Sequence, residues 1–271
     1  MIADKQIGFI GGGAMAESLI RGIINAGLVA PAQIAVSDIS VDRLDYLRGV
    51  FTVSTNTDSQ EIARQSDILF LTVKPQVIGG VIDSIAPVVS KTTVVVSVAA
   101  GVTIATFQGK MPGVPIIRVM PNTPVAVGEG MSAMALGKYA TSSVSEPVAQ
   151  VFASVGKVVT VGEDAMDAVT GLSGSGPAYA FVLIDALTDA GVRVGFSRQT
   201  AVLLAAQTLL GAAKMVLETG EHPAKLRDMV TSPGGTAITG VHVLEQNGVR
   251  AALIDAVVAA TNRSREMGKR G

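Results

Sequence analysis

The sequence contains no cysteine, and histidine occurs only at His222 and His242. The lack of cysteine excludes disulfides, thiolate metal sites and a cysteine nucleophile. Neither histidine has an acidic partner at the spacing of metal ligands. His222 precedes a proline at a predicted helix start and His242 lies among apolar neighbours, which favours structural roles for both. The sequence therefore predicts no metal site.

An excess of charge of either sign is also lacking, because 21 basic residues stand against 22 acidic ones. Without a basic tail or stripe, neither nucleic acid nor an anionic membrane surface is expected as a partner. The N-terminus has no secretory signal, which predicts a cytoplasmic protein. The longest uncharged central stretch, residues 168–184, is interrupted by Ser, Gly and Pro, so it is a poor candidate for a membrane span.

Glycine, in contrast, is concentrated near the N-terminus, in the run Gly11-Gly12-Gly13-Ala14-Met15-Ala16. A short apolar segment precedes this run and a segment of helical period follows it, so the predicted order is strand, tight turn, helix. In the pattern G-x-G-x-x-A, Gly11 permits the turn, Gly13 lets the backbone approach a pyrophosphate, and Ala16 keeps the helix close to the strand. With Asp38 closing the next predicted strand, the pattern predicts a dinucleotide-binding fold.

The pattern of strand-like and helical segments predicts two domains. Residues 1–161 alternate between strand-like and helical segments, which predicts an α/β, Rossmann-like, doubly wound parallel sheet. Its predicted strands lie near 5–11, 33–37, 50–53, 67–73, 92–98, 115–119, 131–136 and 157–160, and its helices near 13–27, 41–48, 57–65, 75–85 and 143–153. Residues 162–271 lack strand-like runs and predict an all-α domain, with helices near 163–173, 176–191, 198–219, 223–230, 235–246 and 249–267. Helix 176–191 is apolar around nearly its whole circumference, so we expect an intertwined homodimer that covers it.

Small residues and prolines follow three of the predicted strands: Lys74-Pro75-Gln76 after Val73, Ala99-Ala100-Gly101, and Met120-Pro121-Asn122-Thr123-Pro124. Two interpretations stay open for them, loop punctuation or a crevice with little side-chain bulk beside a bound cofactor. Lys74 is accordingly either a solvated surface lysine or a ligand of a ribose or phosphate oxygen.

A second glycine-rich turn, Thr231-Ser232-Pro233-Gly234-Gly235-Thr236-Ala237, joins two predicted helices. Free N–H groups at the start of the second helix, with Ser232 and Thr236 as further donors, would form a site for an anion such as a carboxylate. Ordinary helix capping is the alternative interpretation.

With these segments in view, the chain resembles the Δ1-pyrroline-5-carboxylate reductase family from end to end. The motifs that carry the resemblance are FIGGGAMAESLIRGI, VKPQ, SVAAGV, RVMPNTP, GLSGSGPAY and DMVTSPGGTAITGVHVLEQNGVRAALIDAV. The last is highly specific, whereas VKPQ or the glycine run alone is not. The resemblance implies a Rossmann domain followed by a helical dimerisation domain, dimers assembled into larger rings, and an active site between the nicotinamide pocket of one subunit and the SPGG loop of its partner.

The implied reaction is hydride transfer from NADH or NADPH to the C=N bond of a cyclic imino acid, which gives L-proline in the last step of proline biosynthesis. The resemblance implies catalytic roles for Ser232 and Thr236. It implies that substrate is bound by these two residues with Gly234, Gly235, Asn122 and Thr123. Together, the glycine pattern and the resemblance assign to the cofactor Gly11, Gly13, Ala14, Met15, Ala16, Ser37, Asp38, Asn56, Val73, Lys74, Pro75, Ala99, Ala100 and Gly101.

Two positions depart from the family's pattern. Many relatives have two threonines after SPGG, where this chain has Thr236-Ala237, so the donor near the imine nitrogen is open. Much of the family prefers NADPH, whereas Asp38 would accept a hydrogen bond from a ribose 2′-OH and repel a phosphate, which slightly favours NADH; Ser37, Ser40 and Arg43 would favour phosphate. The alternative functions are reduction of another cyclic imine, a deazaflavin-linked NADP reductase, and a dinucleotide-binding protein without catalysis.

Overall fold

An eight-stranded sheet is built from residues 7–160 in the computed structural model, which describes residues 2–268. The strand order is β3-β2-β1-β4-β5-β6-β7-β8. The strands are β1 Ile7–Ile10, β2 Ile34–Ser37, β3 Ser54–Asn56, β4 Ile68–Leu71, β5 Val94–Ser97, β6 Ile116–Pro121, β7 Gly130–Leu136 and β8 Gly156–Thr160. Because β1 to β6 pair in parallel, their carboxyl ends share one edge. The strand order reverses between β1 and β4, which is where such sheets bind their ligands.

Helices cover both faces of this sheet. They are α1 Ala14–Asn25, α2 Val41–Phe51, α3 Ser59–Gln65, α4 Ile78–Ile85, α5 Ile104–Lys110, α6 Ser142–Ala153 and α7 Met166–Val169. Successive side chains of a strand point to opposite faces, so Phe70 of β4 packs in one core with α1, α2 and α6, whereas Leu69 packs in the other with α3, α4 and α5. The ring of Phe70 stacks on Phe9 with centroids 4.9 Å apart, and meets Phe152 edge-on at 6.0 Å. The predicted α/β fold is confirmed.

The predicted strand at 50–53 is wrong. Helix α2 continues to Phe51, Thr52 ends it in the left-handed conformation at φ 58°, and the strand follows at Ser54–Asn56. Leu47 and Phe51 lie four residues apart and are both buried on the same side of the helix, so helical packing outweighed the β-propensity of this segment.

Three further differences concern neighbouring elements. Strand β7 runs antiparallel to β6, because residues 122–129 are too few for the crossover of about a dozen residues that a parallel pair needs. Helix α5 was not predicted. The predicted helix at 163–173 consists of a 3-10 turn at Glu163–Ala165, α7, and a π-helical turn at Thr170–Gly174.

Two compact units make up the chain. The first contains the described residues up to Ser175 and those from Ala259 onward, and the second is Gly176–Val258. The first unit is larger than the sequence-based domain 1–161, and the division into domains 1–161 and 162–271 stays a prediction. Met1 and residues 269–271, which those domains include, lie outside the described residues.

The second unit contains helices α8 Gly176–Arg193, α9 Arg198–Thr219, α10 Pro223–Met229 and α11 Thr236–Gln246, with the first part of α12 Val249–Gly268. Its only buried residues are Thr188, Ala201 and Ala205. Gly191 packs so closely on Ala201 that a Cβ on Gly191 would lie 2.8 Å from the Cβ of Ala201. Many large apolar side chains stay exposed, so this unit has almost no core of its own.

Most of the exposed large apolar residues of the second unit lie on α8, α9, α11 and α12, among them Phe181, Leu203, Leu217, Val243 and Ile254, each at least 50% exposed. Within the described chain, α9 is the one helix with the length and mean hydropathy (1.6) of a membrane span. A helix that packs between subunits has the same composition, so this similarity is weak evidence for a membrane.

Candidate active site

The glycine turn between β1 and α1 is built as the pattern predicts. Gly11 has φ 95°, and a Cβ there would lie 2.8 Å from Val73 Cγ1 and 3.0 Å from the carbonyl oxygen of Thr72. The hydroxyl of Thr72 donates a hydrogen bond of 2.6 Å to the carbonyl oxygen of Gly11, and Gly11 N donates one of 2.8 Å to that of Ser37. Only glycine fits this position, and the two neighbouring strand ends hold the turn.

The start of α1 has the geometry of a phosphate site. Gly13 is its N-cap at φ −66° and ψ −173°, and no side chain among the described residues caps the helix. A Cβ on Gly13 would meet no atom within 4 Å, so the space beside it is open, whereas Ala16 is fully buried against the sheet. The first N–H groups, at Ala14, Met15 and Ala16, are thus available to an anion at the positive end of the helix dipole. These residues fit a dinucleotide pyrophosphate.

Asp38 follows the last residue of β2 and is tied to the same turn. Its Oδ2 accepts a hydrogen bond of 2.7 Å from Gly12 N, and its Oδ1 accepts one of 2.9 Å from Ser40 N. The side chain of Ser37, directly before it, is buried, and its Oγ has no hydrogen-bond partner within the described chain. Asp38 is therefore a fixed acceptor at the position that contacts the ribose in this class of fold.

An ion cluster centred on Glu17 supports the turn from the other side. Arg43 donates through Nε to the carbonyl oxygen of Gly12 and through Nη2 to Glu17 Oε2, and its guanidinium lies 4.9 Å from the ring centroid of Tyr46. Arg21 donates a hydrogen bond of 2.9 Å to Glu17 Oε1, and Tyr46 donates one of 3.1 Å to the same atom. Burial alone would raise the pKa of Glu17, but the hydrogen bonds from Arg43 and Tyr46 and the charge of Arg43 lower it below its ordinary value of 4.5.

The other residues assigned to the cofactor follow the carboxyl ends of neighbouring strands, at the same edge of the sheet. Lys74 is exposed and, within the described residues, makes no ion pair; with Pro75 it begins a 3-10 turn after β4. Ala99 is buried and Ala100 half-buried, and Gly101 takes φ 77°, so the end of β5 has little bulk.

The amide of Asn56, at the end of β3, is occupied locally. Its Nδ2 donates to Glu61 Oε2 at 2.6 Å, and its Oδ1 accepts from Asp58 N at 2.9 Å. Asn56 thus anchors the start of α3. It lies at the carboxyl end of β3, on the edge of the sheet where the sequence analysis places the cofactor.

Asn122 follows β6 and connects three segments. Its Nδ2 donates to the carbonyl oxygen of Ser173 in the π-helical turn at 3.1 Å, and its Oδ1 accepts from Met131 N of β7 at 2.8 Å. Thr123 is exposed and begins a 3-10 turn, Thr123–Val127. The structure therefore gives the amide of Asn122 a positioning role in the loop, and leaves Thr123 accessible at the edge.

The second candidate site lies in the second unit, at the turn before α11. Gly234 takes φ 68°, and Gly235, the N-cap, donates through N to the carbonyl oxygen of Ser232 at 3.0 Å. A Cβ on Gly235 would lie 2.4 Å from Ser232 Oγ and 3.1 Å from the carbonyl oxygen of Ser232, so a side chain there would require Ser232 to move. No described side chain caps α11, and Ser232 and Thr236 are exposed. Simple side-chain capping is therefore wrong for this turn, and the first N–H groups of α11, from Thr236 onward, are available to a carboxylate.

His222 has the structural role that the sequence analysis favours. His222 is the N-cap of α10, and its Nδ1 accepts a hydrogen bond of 3.2 Å from Ala224 N. Within residues 2–268 no group of three or more His, Asp or Glu side chains is placed to hold a metal ion. One groove, lined by Val241, Leu244 and Leu253, belongs to the apolar surface of the second unit.

Comparison with known proteins identifies the family. A family model described as pyrroline-5-carboxylate reductase dimerisation matches residues 163–267, and one described as NADP oxidoreductase, coenzyme F420-dependent, matches residues 6–101. The pyrroline-5-carboxylate reductase of Methanosarcina acetivorans is 46% identical over 268 residues, which cover 98% of this chain and 99% of that protein. That of Arabidopsis thaliana is 48% identical over 263 residues, covering 97% and 95%.

The chain belongs to the pyrroline-5-carboxylate reductase family.

Solved structures of the family agree with this fold over nearly the whole chain. The reductase of Coxiella burnetii has a TM-score of 0.93 at 37% identity and covers 97% of this chain and 98% of its own. That of Plasmodium falciparum, solved with NADP bound, has a TM-score of 0.87 at 32% identity, covering 99% and 100%. The coenzyme F420 description matches only the nucleotide-binding part of this chain. The resemblance inferred from the motifs is thereby confirmed.

Thr72 and Glu17, which contact the glycine turn or its partners, were not predicted as site residues. Thr72 lies in an apolar run that predicts a buried strand. A hydroxyl near the carboxyl end of that strand was the one feature of the sequence that could have indicated a contact with the glycine turn. Glu17 lies four residues before Arg21, a spacing that predicts an ordinary helical ion pair. Its contact with Arg43 depends on how α1 and α2 pack, which the sequence does not reveal.

Proposed function

We propose that this protein reduces 1-pyrroline-5-carboxylate to L-proline with NADH or NADPH. The proposal is supported by the relatives of that name, which match almost the entire chain, together with the uncapped start of α11 behind Gly234 and Gly235. The nicotinamide, when bound, supplies a hydride to the imine carbon, and the imine nitrogen takes up one proton, so the product is a secondary amine. The chain itself binds and orients both reactants.

Each set of candidate residues has a part in this proposal. The glycine turn and the start of α1 hold the pyrophosphate, and the small residues Ala99, Ala100 and Gly101 leave room for a flat ring. The N–H group of Thr236 and the hydroxyl of Ser232 hold the substrate carboxylate, and Gly234 and Gly235 shape the turn that presents them. Thr236 presents its hydroxyl toward the imine nitrogen, and Asn122 keeps the loop with Thr123 in place.

The activity is tested by following oxidation of NADH and NADPH spectrophotometrically in the presence of 1-pyrroline-5-carboxylate, with each coenzyme in a separate assay. The proposal expects coenzyme oxidation that depends on the imino acid and yields proline in equal amount. No turnover with either coenzyme contradicts it.

Thr236→Ala tests the catalytic role. We expect kcat to fall by roughly tenfold or more, because a donor near the reacting nitrogen is lost, while the Kd of the coenzyme is unchanged. Thr239→Ala makes the same chemical change one turn further along α11, where the hydroxyl donates to the carbonyl oxygen of Gly235 at 3.0 Å, and should leave kcat close to the parent value. An unchanged kcat in Thr236→Ala removes this residue from the mechanism.

The quaternary structure follows from the second unit. We propose a homodimer in which α8, α9, α11 and α12 of two chains cover each other's apolar faces, since three buried residues cannot stabilise this unit alone. The match to a dimerisation family model supports this. Assembly of dimers into larger rings and a cytoplasmic location stay predictions from the sequence.

A further inference from the structure

The residues behind the glycine turn bear on the choice between NADH and NADPH. Family membership does not decide this choice, although one structural relative was solved with NADP. The two coenzymes differ only in a phosphate on the 2′ oxygen of the adenosine ribose, which Rossmann folds place near the end of β2. In this chain that position is occupied by Asp38, with Arg43 on the first turn of α2.

Asp38 is held as a hydrogen-bond acceptor. Each of its oxygens receives one backbone N–H, from Gly12 and from Ser40. A carboxylate oxygen has two acceptor sites, so each retains capacity for a ribose hydroxyl. A 2′-phosphate in the same place would bring nearly two further negative charges toward a carboxylate that two backbone bonds keep from moving away.

Arg43 is the cation best placed to compensate such a phosphate, but its guanidinium is already engaged. It donates to Glu17 and to the carbonyl oxygen of Gly12, and it stacks on Tyr46. Its side chain is 27% exposed and that of Glu17 is 20% exposed, so solvent screens this pair only in part. Arg21 is also paired to Glu17. When Asp38 at the same turn is counted, two carboxylates, Glu17 and Asp38, face two guanidiniums, Arg21 and Arg43, so no cationic charge is in excess.

We propose that the Glu17–Arg43 ion pair is a determinant of coenzyme specificity: Glu17 holds Arg43 as a support of the glycine turn, away from a 2′-phosphate, and the protein prefers NADH. The inference rests on the dinucleotide site of the proposed function. The coenzyme preference is thereby assigned to Glu17 of α1 and not only to the residue that follows β2.

The test measures binding to the full-length protein by isothermal titration calorimetry, without imino acid, using NADH and NADPH at one ionic strength. The unmodified protein should bind NADH about tenfold more tightly or better. Glu17→Gln should shift the ratio of the two dissociation constants about fivefold toward NADPH, because the charge of Arg43 is released toward the phosphate. A preference of the unmodified protein for NADPH, or an unchanged ratio in Glu17→Gln, overturns the proposal.

Titration with 2′,5′-ADP and 5′-ADP isolates the 2′-phosphate from the rest of the coenzyme, and the same variant should favour the 2′-phosphorylated fragment. Addition of Arg43→Gln to Glu17→Gln should abolish the gain; a gain that survives without Arg43 contradicts the assigned role. Glu146→Gln, at an exposed position of α6, removes an equal charge and should change neither ratio. These ratios come from binding alone, so they remain measurable even if the enzyme does not turn over pyrroline-5-carboxylate.

Discussion

Gly11 and Gly13 stand two positions apart in one turn but meet different constraints. Gly11 needs a left-handed backbone and the absence of a side chain against Thr72 and Val73. Gly13 has an ordinary φ of −66° and open space where a side chain would be. The first glycine is thus required by the fold, and we expect the second to be required by the bound dinucleotide.

Alanine substitutions should separate these two requirements. Gly11→Ala is expected to lower the free energy of unfolding by about 2–3 kcal/mol, from backbone strain and close contacts. Gly13→Ala should leave thermal stability nearly unchanged but weaken NADH binding roughly tenfold or more, since the added methyl group occupies the approach of the pyrophosphate. Gly49→Ala, in open space on α2, is the control and should affect neither binding nor folding adversely. Equal loss of stability in the Gly11 and Gly13 variants would contradict this division.

The lowered pKa of Glu17 gives the folded protein a specific dependence on pH. Because this pKa is lower in the folded state than its ordinary value of 4.5, the carboxylate stabilises the fold above about pH 4.5, and that stabilisation is lost as pH falls through the folded-state pKa. Glu17→Gln should therefore be less stable than the parent protein near neutral pH, and the difference should shrink in acid, where protonated Glu resembles Gln. Urea unfolding at about pH 7 and about pH 3 measures it; a difference that does not change with pH would refute it.

At the scale of secondary-structure elements, a nearly buried ion pair ties the sheet to the segment that leads out of it. Arg118 of β6, with its side chain 8% exposed, lies 3.2 Å from Glu163. The same carboxylate oxygen accepts a hydrogen bond of 2.7 Å from Ile104 N, at the start of α5. Glu163 thus connects β6, α5 and the 3-10 turn after β8. From the sequence alone, an acidic residue in the first turn of a helix needs no such partners, because the helix dipole favours it there.

Breaking this pair should destabilise the first unit. Glu163→Gln leaves the charge of Arg118 without a partner in a nearly buried place, and we expect a loss of about 2–3 kcal/mol in the free energy of unfolding, less than for a fully buried pair because Glu163 is a third exposed. Arg118→Met combined with Glu163→Gln should recover part of the loss, since no buried charge remains. The same loss in the double variant as in Glu163→Gln would show that the ion pair is not the cause.

At the scale of the whole molecule, stability should depend on association. The second unit buries only Thr188, Ala201 and Ala205, so most of its hydrophobic stabilisation must come from a second chain. The thermal midpoint of the protein should therefore rise with protein concentration, with about 1.4 kcal/mol of stabilisation for each tenfold increase.

Phe181→Glu tests which surface associates. Phe181, on α8, is 63% exposed within one chain, and a charge there should halve the mass measured by sedimentation and lower the thermal midpoint. Val50→Glu, at a 49% exposed position on α2 of the first unit, makes a comparable change and should leave the mass unaltered. A dimer that persists in Phe181→Glu would place the interface elsewhere.

Local chemistry determined much of this protein from the sequence. Short apolar runs specified seven of the eight strands. The runs of β1, β4 and β5 are almost continuously hydrophobic because these strands are buried on both faces. Glycine marked both turns in the sequence: Gly11 and Gly234 take the left-handed backbone conformation that favours glycine, and Gly13 leaves open space beside the start of α1. The motif from Asp228 to Val257 carried most of the resemblance to the family. The tertiary structure decided what depends on residues distant in sequence: the antiparallel pairing of β7, the hold of Thr72 on Gly11, and the contact of Glu17 with Arg43. Each of these contacts forms where two separate elements pack together. The local sequence pattern of one element does not show where the other element will lie.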